Sequence, residues 1–442
     1  VPPQLGNLTN LQSLDLSQEY DGSDSSMNST DISWLTRLPS LRVLNMGSVD
    51  LSMVLDWAHV KDSTYWTSLG TLYQDPCLRT LELHSSGICV FSPIISAVTY
   101  LNICVLEFDD NLLEGEFPPC FQPSSETIIS SNNRFSGKFP PFLQRCTNLY
   151  ILDLAWNNFS GELPMWIGDL VNQEIVRLNY NNFSGNIPAT TTKLTKLLHE
   201  NIAANSISGV LPLHLSKLTG MKARNSPTTF GLYGPDMNLT VGTKGNERQM
   251  WNMVSIDLSS NSLTGEIPNE VTSLSGVKIL NLSRNHLCGK IPINIGTMQL
   301  LESLDLSENK LYGELPQSLS NLTYLSYLYL SYNNLTGRIP RGGQLDTLYW
   351  QIPFMYDGKI SLCGNPLHKN CSVPNHGAQE RDEHDSNLRT WPRIYFWSLG
   401  GWCSVSYYSR NHGGFAYFRL FDKVHHKVYV FVLAAWTRWA QN

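Results

Sequence analysis

Apolar and polar positions alternate in this chain with a long period. The places Leu149, Leu152, Leu154, Asn157, Phe159, Gly161, Leu163 and Pro164 return 24 residues later as Gln173, Val176, Leu178, Asn181, Phe183, Gly185, Ile187 and Pro188. The next step holds Leu197, Glu200, Ile202, Asn205, Ile207, Gly209, Leu211 and Pro212. After a break, Met253, Ile256, Leu258, Asn261, Leu263, Gly265, Ile267 and Pro268 resume the pattern, and the asparagine recurs every 24 residues as Asn285, Asn309 and Asn333. Upstream, Asn111 and Asn133 belong to the same series at a spacing of 22. Self-similarity at such a period predicts a solenoid of stacked coils, each too small to bury its own core.

Each place in the coil has a physical reading. Leu-x-Leu predicts a short strand that sends both leucines inward and the residues between them outward. A buried Asn at a fixed place can bond the backbone of the adjacent coil and satisfy groups that the sharp turn leaves unpaired. Gly permits the following bend, and Pro suits a segment with no ladder partner. The expected fold class is therefore α/β: a concave parallel β-sheet backed by short 3-10 or irregular segments on the convex side. The form with Gly-x-Ile-Pro after the Asn resembles the plant-specific class of leucine-rich repeats over residues 1–340, and the expected structural ladder is Asn111, Asn133, Asn157, Asn181, Asn205, Asn261, Asn285, Asn309 and Asn333.

Three intervals break the rhythm. Leu11 to Leu41 is 30 residues and Leu41 to Leu78 is 37, with polar insertions such as Asp21 to Thr30, so the first coils are irregular. Between Asn205 and Asn261 lie 56 residues, which leaves an insertion at about 213–252 carrying Lys222, Arg224 and Lys244. A loop of that length in a compact array is either functional or a tolerated edge insertion.

These features together resemble plant leucine-rich-repeat receptor-like proteins, the kinase-less cell-surface immune receptors. Val241-Gly242-Thr243-Lys244-Gly245 is similar to their island signature, and Met253 to Asn261 to the repeat that follows it. Ile339 to Leu348 resembles the family's last-repeat ending, and Leu362-Cys363-Gly364-Asn365-Pro366-Leu367 to Cys371 its C-terminal cap. The resemblance implies a Cys363–Cys371 disulfide, an oxidising compartment, and a chain that here lacks the family's N-terminal cysteine cap. It divides the chain into repeats at 1–212, an island at 213–252, four regular repeats at 253–340, a cap at 341–372 and an acidic juxtamembrane linker at 373–390. A degraded transmembrane-like segment at 391–411 and a basic cytoplasmic-type tail at 412–442 would complete it. The interval between Arg393 and Arg410 holds only 16 uncharged residues, short of the roughly 20 that a span needs, which suggests a brief, later restored frame shift. On this reading the protein sits at the plasma membrane as a single-pass receptor with extracellular repeats, or is secreted if the damaged span does not insert. Any leader peptide would lie outside this chain.

Composition narrows the function. Charged residues are 15 %, and 31 Lys plus Arg against 37 Asp plus Glu give 31 − 37 = −6, without the basic face of a nucleic-acid binder. A hydrophobic content of 42 % excludes a wholly disordered chain. His425-His426 is read as solvated surface and not as a metal site; no zinc spacing, phosphate-cradling loop, kinase loop or catalytic constellation appears, so neither cofactor nor enzymatic activity is expected. Seven other cysteines, Cys77, Cys89, Cys104, Cys120, Cys146, Cys288 and Cys403, are expected as mostly buried apolar filler. Nine Asn-x-Ser/Thr sequons, at Asn7, Asn28, Asn158, Asn182, Asn238, Asn281, Asn321, Asn334 and Asn370, fit a glycosylated surface, although an Asn- and Ser-rich repeat generates them unaided.

The outward strand positions supply the binding candidates: Trp156, Arg177, Tyr180, His199, Tyr327, Tyr329 and Tyr332, with Lys222, Arg224 and Lys244 on the island. Exposed aromatics on a concave surface are good anchors, unless they merely cover the ribbon. By resemblance the ligand is a peptide, protein or other microbial elicitor, and a co-receptor kinase joins at the last repeats for plant defence. Two other readings stand: a secreted leucine-rich-repeat inhibitor of a cell-wall hydrolase such as polygalacturonase, and a non-functional degenerate receptor fragment.

Overall fold

The computed structural model describes residues 1–17, 27–54, 79–86, 88, 103–117, 125–222, 240–243, 246–249, 253–358, 361–367, 369–371, 393–399, 402–409 and 414–421. Residues 1–372 form one compact unit and residues 373–442 a second.

The first unit is built on a twelve-stranded parallel sheet in chain order. Its strands are β1 (Ser13–Asp15), β2 (Val43–Asn45), β3 (Thr80–Glu82), β4 (Val105–Glu107), β5 (Thr127–Ile129), β6 (Ile151–Asp153), β7 (Ile175–Arg177), β8 (His199–Asn201), β9 (Ser255–Asp257), β10 (Ile279–Asn281), β11 (Ser303–Asp305) and β12 (Tyr327–Tyr329). Register aligns Leu14, Leu44, Leu81, Leu106, Ile128, Leu152 and Val176 in one inward column, followed by Glu200 and then Ile256, Leu280, Leu304 and Leu328. The long early intervals do not disturb this ribbon, because β1, β2 and β3 pair in the same register as the rest. Fully buried Trp34 fills the early core.

The asparagine ladder has one repeated geometry. Asn181 Nδ2 donates to the carbonyls of Leu154 (2.9 Å) and Leu178 (3.2 Å), while its Oδ1 accepts from the Phe159 N–H at 3.0 Å. One side chain therefore closes its own turn and two backbone groups of the preceding coil. Asn133, Asn157, Asn205, Asn261, Asn285, Asn309 and Asn333 accept in the same way from Leu113, Phe135, Phe183, Ile207, Leu263, Leu287 and Leu311. Asn111 accepts from both Ser86 and Ile88.

The convex side carries 3-10 turns such as Pro141–Arg145, Met165–Asp169 and Gln317–Asn321. Each follows an extended Pro (Pro140, Pro164, Pro316), whose fixed φ presets the entry. Beside these turns, the segments after six of the asparagines form a second parallel ladder. Glu114–Glu116, Arg134–Gly137, Asn158–Glu162, Asn182–Asn186, Ser206–Val210 and Ser262–Thr264 form a six-stranded sheet. Pro stands after these strands, so it removes no bond from them. Within the ladder Gly185 has φ +73°, and a Cβ there would come within 2.6 Å of the Glu162 side chain, so the place is restricted to Gly. The same segments send Phe135, Phe159 and Phe183 inward as a spine with centroids 6.1–6.2 Å apart.

The insertion begins later than its sequence bounds. Leu218 and Met221 are buried in the repeat core, and Met221 O accepts from Gly276 N–H, so the chain up to Lys222 still belongs to the coil. Thr240–Thr243 and Asn246–Gln249 then form an antiparallel pair.

At the far end the helix Gly343–Gln351 and the turn Pro353–Tyr356 cover the last coil with Leu345, Leu348, Met355 and Tyr356. Met355 O accepts from Leu330 N–H and Asp357 O from Tyr332 N–H, which occupies backbone at the sheet's end. Cys363 and Cys371 are disulfide-bonded across a separation of 8. Cys371→Ser is expected to destabilise this cap by about 2–3 kcal/mol on the loop-entropy estimate. Hydrogen exchange of the 343–363 amides measures it, and unchanged protection would refute it.

Of the other cysteines, Cys146 is buried and Cys104 and Cys288 are half-buried; Cys77, Cys89 and Cys120 and the Cys403 side chain lie outside the described residues.

The second unit contains the stretch 391–411, read above as a degraded span. Arg393–Leu399, Trp402–Ser409 and Gly414–Phe421 form a three-stranded antiparallel sheet. Aromatic and β-branched residues alternating with Ser, around Gly400-Gly401, suit strands better than an apolar helix. Among the described residues no helix is long and apolar enough to cross a membrane. The acidic linker at 373–390 and His425-His426 lie outside the described residues.

Candidate ligand-binding face

Strands β7 to β12, with Trp156 of the preceding coil, line a groove of about 450 Å³ on the concave face. Its rim is the column of residues just before each ladder Asn: Trp156, Tyr180, Ala204, Ser260, Arg284, Glu308 and Tyr332. All seven have a left-handed backbone, with φ between 52° and 57°. The shared dihedrals send their side chains out in parallel, one per coil. Trp156 and Tyr180 therefore stack face to face, with centroids 3.6 Å apart and planes 13° apart, while each stays about half exposed (50 % and 47 %). Arg284 Nε donates to Glu308 Oε1 at 3.0 Å in the same column.

The groove floor is polar and mostly satisfied. Arg177 Nη1 pairs with the buried Asp153 carboxylate at 2.7 Å. Burial raises the Asp257 carboxyl, although it accepts from Ser259 and from the Asn281 amide. Asp305 accepts from the Ser307 N–H and hydroxyl.

His199 is not the exposed contact that its outward place suggested. It is buried, with Nδ1 against the Ser255 hydroxyl, and burial beside the Arg177 guanidinium pushes its pKa down to about 3. At neutral pH it is an uncharged ring, and its Nε2 has no partner. Ile151, Asp153 and Ala155 also face outward yet are covered by neighbouring side chains. Tyr327 and Tyr329 are half-buried, whereas Tyr332 is exposed. Lys222 ends a 3-10 turn on the convex side, and Arg224 and Lys244 lie outside the described residues. Asn7, Asn28, Asn158, Asn182, Asn321, Asn334 and Asn370 are exposed, but Asn281 lines the groove; Asn238 lies outside the described residues.

Two further features shape the groove. Asn179 is 4 % exposed and its Oδ1 has no partner. Beside it, Ala203-Ala204 puts small residues where adjacent coils carry Asn179-Tyr180 and Ser259-Ser260. A step in side-chain size along an aligned column is the signal that could have found this notch.

Residues 148–170, 252–274, 276–298, 300–322 and 324–344 match the Leucine Rich Repeat family. Among solved structures the chain is similar to the plant peptide hormone receptor RGFR1 in complex with RGF2. That match is at 25 % identity and a TM-score of 0.57 over 82 % of this chain and 52 % of that one. A TDR receptor matches at 22 % identity and TM-score 0.55, covering 78 % of this chain and 59 % of that one. A plant ice-binding protein matches at 23 % identity and TM-score 0.50, covering 66 % and 84 %. The chain thus spans about half the length of the hormone receptor. No curated protein matches its sequence. The chain is a leucine-rich-repeat solenoid with the fold of plant receptor ectodomains.

Proposed function

We infer that the chain is a ligand-recognition ectodomain that binds a peptide or protein along the concave groove. The observation that carries this reading is the half-exposed Trp156–Tyr180 stack, continued across a polar floor to Tyr327 and Tyr329, with Tyr332 exposed in the same column as the stack. Flat aromatic surface next to hydrogen-bonding groups, held on a rigid sheet, suits an extended chain whose side chains need anchors. Likeness to a receptor solved with its peptide hormone supports the ligand class. Signalling by recruitment of a co-receptor kinase, extracellular placement on a membrane anchor and a role in plant defence belong to the same proposal, by family resemblance.

Panning a random linear peptide library on the folded chain tests the core of it. Selected peptides are expected to lose at least about tenfold in affinity, or roughly 1.4 kcal/mol, to Trp156→Ala or Tyr332→Ala. Binders indifferent to every groove substitution would place the ligand elsewhere and end this reading.

A further inference from the structure

The rim of the groove has a gap. Trp156 and Tyr180 show that rings on adjacent coils of this column stack at 3.6 Å, with their backbones in one conformation. On the other side of Tyr180 the stack stops, because the next two coils carry Ala204 and Ser260. The column resumes at Arg284, which is held by Glu308. Three coil spacings of about 4.8 Å separate Tyr180 from Arg284, so roughly 14 Å of the rim lacks a large side chain. Ala203 keeps the floor of this gap low.

We propose that this gap is a slot for one aromatic side chain, such as that of a tyrosine or tryptophan in an extended peptide. The inference rests on the peptide-binding reading of the groove. A ligand ring over Ala204 takes the place of the missing third ring and stacks on Tyr180. An aliphatic side chain would fill part of the slot without making the ring–ring contact.

The peptide-library experiment carries the test with two further variants. Ala204→Tyr builds the missing ring into the rim, at φ 52° against 56° for Tyr180, so the backbone already accepts it. Selected peptides are expected to be enriched in Tyr or Trp and to lose at least about tenfold in affinity to Ala204→Tyr, which occludes the slot. Tyr180→Ala removes an exposed side chain and keeps the test open if Ala204→Tyr fails to fold. It should weaken binding about three- to tenfold, and replacing the peptide's aromatic residue by Leu should then cost little more. Peptides that depend on Tyr332 but show no aromatic preference and tolerate both variants would overturn the slot and leave the groove reading standing. If no recovered peptide responds to any groove substitution, both fall.

Discussion

Asn181→Ala is expected to lower the stability of the central coils by about 1–3 kcal/mol. The estimate follows from the Phe159 N–H, which donates to Asn181 Oδ1 and is left without that partner, at about 1–3 kcal/mol for a buried group left unpaired. The Leu154 carbonyl loses its donor at 2.9 Å but keeps Asn157 Nδ2 at 3.3 Å. Phe159 lies in the closed core, away from water. Asn181→Asp sharpens the expectation. It keeps an acceptor for Phe159 but turns a carboxylate towards the Leu154 and Leu178 carbonyls, so it should cost at least as much as Ala. Chemical unfolding with hydrogen exchange on the 150–210 coils reads both changes. A loss below about 1 kcal/mol for both variants would mean that water or a relaxed turn replaces the amide.

Such local dependence explains why much of the fold was legible. A coil cannot move its Asn, its paired leucines or its Gly without disturbing the neighbours, so the 24-residue period survives in the sequence as a column for every structural place. The second ladder was not legible. Its strands, such as Asn158–Glu162, read as Asn-Phe-Ser-Gly-Glu, with one apolar residue and a glycine, which is poor strand composition. Stacking of equivalent backbones forms it, and no single coil contains that information. The exposure of the groove residues was half legible for a related reason. Alternation correctly predicts which side chains leave the core, but exposure on a concave face depends on neighbours across coils. His199 is buried through Ser255, 56 residues away, while Trp156 stays open because its left-handed backbone lifts it to the rim.

The break in the apolar column at Glu200 leads to the second large effect. Its register partners are Val176 and Ile256, both core residues, and burial pushes the Glu200 carboxyl from an ordinary 4.5 up to about 7. An unfolded chain releases this proton near pH 4.5, whereas the folded chain holds it until about pH 7. Between those values the unfolded state binds fewer protons, so stability falls as pH rises, by roughly 3 kcal/mol in all for this one group. Glu107, raised to about 8, and Asp109, raised to about 7, act in the same direction, while His199, lowered to about 3, opposes them below pH 6.5. Comparison with Glu200→Gln cancels these shared contributions. Wild type is expected to lose roughly 3 kcal/mol more than Glu200→Gln between pH 4.5 and pH 8 in chemical unfolding, and an equal loss in both proteins would show that Glu200 reaches solvent. Glu200→Leu should be more stable than either at pH 8, because it completes the column. Gln173 replaces another core apolar residue one coil earlier, and neither its Oε1 nor its Nε2 has a partner. The two coils before the insertion are thus held less by apolar packing than their neighbours, and they are the same coils that present Asn179, Tyr180 and Ala204 to the groove. Replacing Glu200 by Leu therefore tests whether the floor of the binding face depends on a strained core beneath it: if peptide affinity is unchanged in the stabilised variant, the groove is set by the ribbon alone.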